Sequence, residues 1–160
     1  MPVRMMWGVS EILVAMLAAA LVAAAAIDLR SRTIPNALTL AVALLAIPFW
    51  WASDLAFWPE IALRIGLGLA VFAVFALAFH AGMMGGGDVK LLAAIALWLP
   101  APAVLFLIVL MSIAGGVLTI SMMIRHRLSK APHKLEIPYG VAIAFAGLWL
   151  ISERFLNQFG

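Results

Sequence analysis

The stretch Met84-Gly85-Gly86-Gly87-Asp88-Val89-Lys90 places a carboxylate directly after three glycines, at the point where an apolar segment begins. Glycine has no side chain beyond a hydrogen, so its backbone turns tightly and lets another chain come close. An ionisable side chain at the edge of a membrane segment is costly to keep, and it marks a candidate functional site. The stretch predicts a buried acid on a bare backbone, whose partner group lies elsewhere in the chain.

The composition indicates a membrane protein. Of the 160 residues, 67% are hydrophobic and 11% are charged, and the mean hydropathy is +1.18. Soluble domains contain about 45–50% apolar and about 25% charged residues. Long apolar runs recur along the whole chain and leave no room for a separate soluble domain. We therefore predict a single membrane-embedded domain over residues 1–160.

The charge and the cysteine count exclude several classes of protein. The chain has no cysteine, which excludes disulfides, zinc–thiolate sites and cysteine nucleophiles. Its net charge of +3 is not arranged as a basic stripe with interleaved aromatic residues, so we predict no nucleic-acid binding. Membrane lipids are the expected partners of the basic residues. The three histidines lack the helical pairing of a metal site, so we predict no metal ion and no cofactor.

Six apolar segments predict an all-α polytopic fold with about six transmembrane helices. A helix needs about 17–25 apolar residues to cross a bilayer. The segments cover residues 11–28, 37–51, 61–79, 88–99, 103–124 and 137–151. The first segment also resembles a signal peptide, but its length and its alanine content favour a spanning, closely packed helix.

The fourth segment is short for a membrane span. From Asp88 to Pro100 it has about 12 residues, which gives about 18 Å of helix against a hydrocarbon core of about 30 Å. Either the helix begins below the membrane surface, with the glycine loop beside it, or it continues with a kink past Pro100 and Pro102. In the first case protein or a water-filled cavity must surround the loop.

The loops predict the orientation of the chain. With six spans, the loops at 29–36, 80–90 and 125–136 lie on one side of the membrane. They carry seven of the ten basic residues: Arg30, Arg32, Lys90, Arg125, Arg127, Lys130 and Lys134. Because basic residues collect in cytoplasmic loops, this side is predicted to be cytoplasmic. Asp28 and Asp88 then lie at the same, cytoplasmic ends of their spans.

Asp28 and Asp88 are the only acidic residues that this orientation brings to span ends on one side. Two neighbouring aspartates do not both ionise easily, because like charge and desolvation favour the neutral form of one. A carboxylate that takes a proton from water and a carboxylic acid that polarises a carbonyl together suit amide hydrolysis. The residues alone leave other interpretations open. Asp88 would also suit the N-terminal end of a helix, whereas Asp28, near a C-terminal end, could simply pair with Arg30 or Arg32. A small ion- or proton-coupled transporter or scaffold would use the same aspartates.

Three separated motifs resemble the bacterial prepilin peptidase (type IV leader peptidase) family. Gly85-Gly86-Gly87-Asp88 matches the GxGD motif of intramembrane-type aspartyl proteases. Asp28-Leu29-Arg30, followed by Ile34-Pro35-Asn36, looks like the first motif of the family. Ile137-Pro138-Tyr139-Gly140 is similar to its late Pro-(Phe/Tyr)-Gly element. The motifs stand in the family's order and extend over essentially the whole chain.

The resemblance implies an aspartyl endopeptidase of the bacterial inner membrane that removes the short basic leader of type IV prepilins or pseudopilins at the cytoplasmic face. Asp28 and Asp88 would be the catalytic residues. The residues expected to bind or position the substrate are Gly85, Gly87, Lys90, Pro35, Asn36, Pro138, Tyr139 and Gly140. The two glycines would provide flexibility beside Asp88, and Lys90 would bind a substrate carbonyl or a lipid phosphate, or extend to the membrane interface.

The absence of cysteine indicates which form of the family the chain resembles. Larger members carry an N-terminal segment with two pairs of cysteines and also methylate the trimmed pilin. We expect neither a cysteine-rich nor a methyltransferase segment here. The chain is similar to the short, peptidase-only form that serves Flp/Tad-type pili.

Overall fold

The computed structural model describes residues 3–129 and 137–156, and the regular structure in these ranges is entirely helical. The helices are α1 Val3–Ser31, α2 Asn36–Ala52, α3 Ala62–His80, α4 Gly86–Ala96, α5 Ala101–Ser129 and α6 Tyr139–Leu156. A wide helical turn, Phe57–Ile61, leads into α3. Lys130 and Lys134 of the predicted basic loop lie outside the described residues. The predicted all-α fold is confirmed.

The outer surface of the bundle is apolar. Three helical stretches are long and apolar enough to cross a membrane, Gly8–Ser31, Phe57–His80 and Ala101–Leu128, and α2 and α6 contribute shorter apolar helices. Large hydrophobic side chains point outward on all sides, and Leu69 and Val117 are 66% and 65% exposed. In water the outer face of a helix bundle is polar. An outer face of this kind is typical of a protein that is surrounded by lipid.

The short helix α4 lies at the centre of the bundle. It packs against α2, α3 and α6, and Leu91, Leu92 and Ile95 on it are at most 1% exposed. Helix α6 packs in turn against α1 and α5. The 11 residues of α4 extend over about 16 Å, roughly half of a hydrocarbon core. Most of α4 is buried among its neighbours, whereas Lys90 on it is exposed.

The fourth predicted segment is a separate short helix. Helix α4 ends at Ala96 and α5 begins at Ala101, so the alternative of one kinked helix past Pro100 and Pro102 is wrong. A proline disfavours helical conformation in the residue before it, which separates the two helices at Pro100. Pro102 lies in the first turn of α5, where the backbone N–H groups have no partner within the helix, so proline is tolerated there.

Side chains from neighbouring helices hold the far end of α4. Trp50 Nε1 donates to the carbonyl of Leu97 (2.8 Å), and Arg64 Nη1 donates to the carbonyl of Trp98. Trp98 Nε1 donates in turn to the carbonyl of Val42 (3.0 Å). Carbonyls at a helix C-terminus lack partners within the helix, so the bonds from Trp50 and Arg64 satisfy groups that would otherwise lack a partner. They anchor α4 and thereby set the position of its N-terminal residues.

Candidate active site

Asp28 and Asp88 lie at the same end of the bundle, and both are buried. Asp28 is near the C-terminus of α1 and is 4% exposed, whereas Asp88 is in the first turn of α4 and is 8% exposed. The charge of Asp28 acts directly on Asp88. They are the only buried acidic residues in the described part of the chain. Burying carboxyl groups is unfavourable unless they are paired or used, so the pair is the strongest candidate for a functional site.

Asp88 is oriented by the start of its own helix. Gly85 is the N-cap residue, with extended backbone (φ −74°, ψ 145°), and Asp88 is the third residue of α4. An acid at this position reaches back to the N–H of the N-cap residue, which is one half of a capping box. The carboxyl of Asp88 makes this contact with the backbone of Gly85. The glycine loop therefore holds the carboxyl of Asp88 in a defined place.

Gly85 provides space and not an unusual backbone conformation. A Cβ atom on Gly85 would lie 2.8 Å from Oδ2 of Asp88. Neither Gly85 nor Gly87 adopts the left-handed conformation that favours glycine, since the positive φ of the loop is at Gly82. The closeness of the Asp88 carboxyl to the main chain is thus possible because residue 85 has no side chain.

Asp28 faces the start of α6. The backbone N–H groups of Gly140 and Val141, in the first turn of α6, interact with its carboxyl. The first N–H groups of a helix have no partner within the helix and are satisfied by such a carboxyl group. The oxygen Oδ2 of Asp28 is buried and has no hydrogen-bond partner among the described residues. Buried acceptors are normally paired, so this oxygen is a candidate contact for a water molecule or a group of a bound substrate.

Ile34 connects the surroundings of the two aspartates. A Cβ atom on Gly140 would lie 2.8 Å from both Oδ2 of Asp28 and Cδ1 of Ile34. A Cβ atom on Gly87 would lie 3.0–3.2 Å from Cβ, O and N of Ile34. The segment after α1 therefore passes between the N-termini of α4 and α6 and touches a glycine of each. This close packing determines how the carboxyl of Asp28 lies relative to α4.

Pro138 and Tyr139 support the first turn of α6. Pro138 is buried and directly precedes the helix. The ring of Tyr139 packs on α5 at Gly115, where a Cβ atom would lie 3.2 Å from Cε1 of the ring. These contacts hold the N–H groups of Gly140 and its neighbour against Asp28. Tyr139 thus makes a packing contact with α5, and Pro138 is buried where α6 begins.

Lys90 and Asn36 form a polar contact beside the aspartates. Lys90 Nζ donates to Oδ1 of Asn36 (2.8 Å), which joins the starts of α4 and α2. Pro35 is the N-cap residue of α2 (φ −62°, ψ 137°), and its carbonyl accepts from the N–H groups of Leu38 and Thr39. Proline suits this position because its φ is already that of the helix start. The partner of Lys90 is therefore a side chain of a second predicted site residue.

An apolar groove extends from Lys90 and Asn36 along the bundle. Helices α2 and α3 both pack on α4 but make little contact with each other, so α4 forms the floor of the groove. Its volume is about 470 Å³, and its walls include Ala43 of α2, Gly68 of α3 and Ala94 of α4. The groove thus combines apolar walls, which include the larger Leu69 and Phe72, with one polar end at Asn36 and Lys90.

Three residues at this end of the bundle were not among the predicted site residues. They are Arg32, Ile34 and Val141. Ile34 belongs to the Ile34-Pro35-Asn36 motif, and its position directly before Pro35-Asn36 was the sequence signal that could have identified it. No sequence signal distinguishes Arg32 from the exposed Arg30, because both belong to the same basic loop.

A protein-family model described as the type IV leader peptidase family matches residues 15–120, about two thirds of the chain. The matched range contains both aspartates, the Ile34-Pro35-Asn36 segment and the glycine loop, and it ends before α6. Searches of curated proteins and of solved structures found no significant match to the chain.

Proposed function

The chain belongs to the type IV leader peptidase family, and we propose that it is an aspartyl endopeptidase that removes the short basic leader from type IV prepilins or pseudopilins. The observation that carries the proposal is the pair of buried carboxyl groups, Asp28 and Asp88, at one end of the bundle. The family match supports peptidase activity, and the pair supplies the groups for it. A transporter or scaffold would also explain buried aspartates, but it would not explain the match.

The proposed mechanism uses one charged and one protonated aspartate. Because the two carboxyl groups are buried and act on each other, the pair holds a single proton as a unit. The charged member takes a proton from water, whose oxygen attacks the scissile carbonyl carbon, while the protonated member donates to the carbonyl oxygen. The tetrahedral intermediate collapses when the C–N bond breaks. The aspartate that took the proton from water donates it to the leaving nitrogen, and the other aspartate recovers its proton from a hydroxyl of the intermediate. The unpartnered Oδ2 of Asp28 is a suitable contact for the water.

A cleavage assay tests the function. The protein is co-expressed in a bacterial membrane with a prepilin encoded near it, and the pilin is analysed by mass spectrometry. We expect the wild type to shorten the pilin at one position before its apolar helix. A membrane-inserted protein that leaves every candidate prepilin and pseudopilin intact would contradict the proposal.

The proposed location is the bacterial inner membrane, with the aspartates at the cytoplasmic face. The exposed residues Arg30 and Lys90 lie at the end of the bundle that contains the aspartates, and α5 ends there with Arg125 and Arg127. Basic residues of membrane proteins are concentrated on the cytoplasmic side, which supports this orientation. A basic leader that has not crossed the membrane would reach the aspartates from this side.

The lack of cysteine allows a direct test of this orientation. Arg30→Cys introduces a single thiol at the aspartate end, and Trp51→Cys introduces one at the other end of α2, where the side chain is 74% exposed. In spheroplasts a membrane-impermeant maleimide should label Trp51→Cys and should label Arg30→Cys only after lysis. Labelling of Arg30→Cys in intact spheroplasts would exclude a cytoplasmic active site.

We assign the groove between α2 and α3 to the apolar helix of the substrate. This helix follows the scissile bond, and the groove begins at Asn36 and Lys90, two residues after Asp88 in the sequence, and runs along α4. The small side chains Ala43, Gly68 and Ala94 in its walls allow a helix backbone to come close. A substrate seated here would present its leader at the end of the bundle that contains the aspartates.

Filling the groove should weaken cleavage. Ala43→Trp places an indole in the groove, whereas Leu44→Trp places one on the lipid-facing side of the same turn, where Leu44 is 55% exposed. We expect Ala43→Trp to lower kcat/KM for a prepilin about tenfold, mainly through KM, because it removes binding common to substrate and transition state. Leu44→Trp should match the wild type. Equal activity of the two variants would indicate that the groove holds lipid and not substrate.

A further inference from the structure

Arg32 ends helix α1 in a conformation that favours glycine. Its φ is +55°, and its backbone N–H donates to the carbonyl of Asp28 (3.0 Å). This is the left-handed cap that closes many helices, and glycine is the usual residue because a side chain is crowded there. An arginine at this position is therefore unfavourable for the backbone. The backbone conformation therefore does not explain why residue 32 is an arginine.

The neighbouring residues hold the turn around Arg32 in place. The hydroxyl of Ser31 donates to the carbonyl of Ile27 (2.9 Å), and the hydroxyl of Thr33 donates to that of Ser31 (3.2 Å). Ile34, two residues further on, is buried against Gly87 and Gly140. The backbone at residue 32 is thus supported on both sides.

Arg32 is half-buried, and its guanidinium group lies within electrostatic reach of Asp28. Its charge acts on Asp28, yet its nitrogen Nη1 is buried and has no hydrogen-bond partner within the described residues. Buried N–H donors are nearly always paired in folded proteins. A favourable interaction with the C-terminus of α1 does not account for this nitrogen, since the exposed Arg30 provides the same charge in the same turn. The unpaired donor therefore points to a ligand that supplies an acceptor.

A peptide carbonyl is the acceptor that fits this position. The leader of the proposed substrate is basic, so its side chains would be repelled by a guanidinium, whereas its backbone carbonyls would not. Arginine hydrogen bonds carry a full charge and hold an acceptor firmly. We propose that Arg32 binds a backbone carbonyl of the substrate next to the scissile bond and so aligns that bond with Asp28 and Asp88. This inference rests on the peptidase function proposed above.

Replacement by glycine separates this role from a structural one. Arg32→Gly removes the guanidinium and also relieves the backbone, because glycine adopts a φ of +55° without crowding. We expect its thermal unfolding temperature to equal or exceed that of the wild type. Its kcat/KM for a prepilin should fall about 100-fold, which is the usual cost of misplacing a scissile bond by about 1 Å. Arg30→Gln, which changes the exposed arginine of the same turn, should stay within about twofold of the wild type.

Chemical rescue provides a second measurement. Millimolar guanidinium, well below denaturing concentrations, should restore part of the activity of Arg32→Gly and leave the wild type unchanged. An Arg32→Gly variant with full activity would show that the side chain serves only the fold, and a low activity without rescue would show that it binds no substrate carbonyl. A wild type that cleaves no prepilin would instead overturn the proposed function itself, together with this inference.

Discussion

Asp28→Asn and Asp88→Asn are each expected to lower the rate of leader cleavage by about a hundred- to ten-thousandfold, the usual contribution of a general acid or base. Asparagine has nearly the same shape as aspartate, but its amide neither takes a proton from water nor donates one to a carbonyl. The pair acts as a unit, so the double variant should be little worse than either single variant. The measurement is the rate of prepilin trimming in membranes that contain equal amounts of each protein.

The same substitutions should leave the fold intact. Both carboxyl groups are buried, at 4% and 8% exposure, and each acts on the other. A neutral amide is less costly to bury than a carboxyl group that carries charge, so the unfolding temperature of either variant should equal or exceed that of the wild type. Retained stability with lost activity would separate catalysis from folding.

Asp54→Asn is the matched control. Asp54 lies beyond the C-terminus of α2, at the other end of the bundle, and its φ of +51° is one that asparagine adopts readily. This variant should cleave like the wild type. If either Asp28→Asn or Asp88→Asn also trims the leader at nearly the wild-type rate, the paired mechanism is excluded.

Gly85→Ala is expected to lower kcat by about a hundredfold without unfolding the protein. The new Cβ atom would lie 2.8 Å from Oδ2 of Asp88. That oxygen is the end of a rotatable side chain, so it moves aside at little cost to stability. The moved carboxyl loses its contact with the N-cap N–H and its alignment with the substrate. A misplacement of about 1 Å at a reacting group costs about a hundredfold in rate.

The adjacent Gly86→Ala provides the control for this prediction. Its Cβ atom would lie 3.3 Å from Cε2 of Phe79, at the edge of a ring that shifts easily. Alanine is also a better helix former than glycine, and residue 86 is the first residue of α4. We expect nearly full activity and equal or higher stability. If both alanine variants lose activity equally, the loop needs flexibility, as the sequence suggested, and the space beside Asp88 is not the reason for Gly85.

The helices were predictable because their signal is local. Apolar runs of sufficient length lie along the chain, and six helices occur within the described residues, each overlapping one predicted segment. The boundaries differ most for α1, which begins at Val3 and not at residue 11. Hydropathy alone does not show where this helix begins. Because successive spans cross the membrane in opposite directions, the sequence also predicted that Asp28 and Asp88 lie at the same end of the bundle.

The contacts between motifs were not predictable in this way. Asn36 and Lys90 are 54 positions apart, and nothing in either segment specifies that their side chains meet. The left-handed cap at Arg32 was hidden because arginine is not the residue that normally signals it. The packing of Ile34 on Gly87 and Gly140 depends on how closely three segments approach, which periodicity does not encode.

By itself, the sequence determined the helical membrane class, the order of the helices and the common end of the two aspartates. These properties follow from the lengths of the apolar runs and from the alternating direction of successive spans. Both can be read along the chain without knowing which helices pack together. Only the tertiary structure decided the rest: the burial of α4, the reason for each glycine beside a carboxyl, and the unpaired donor of Arg32. Those features are distances between atoms of different helices, and they exist only once the helices have packed.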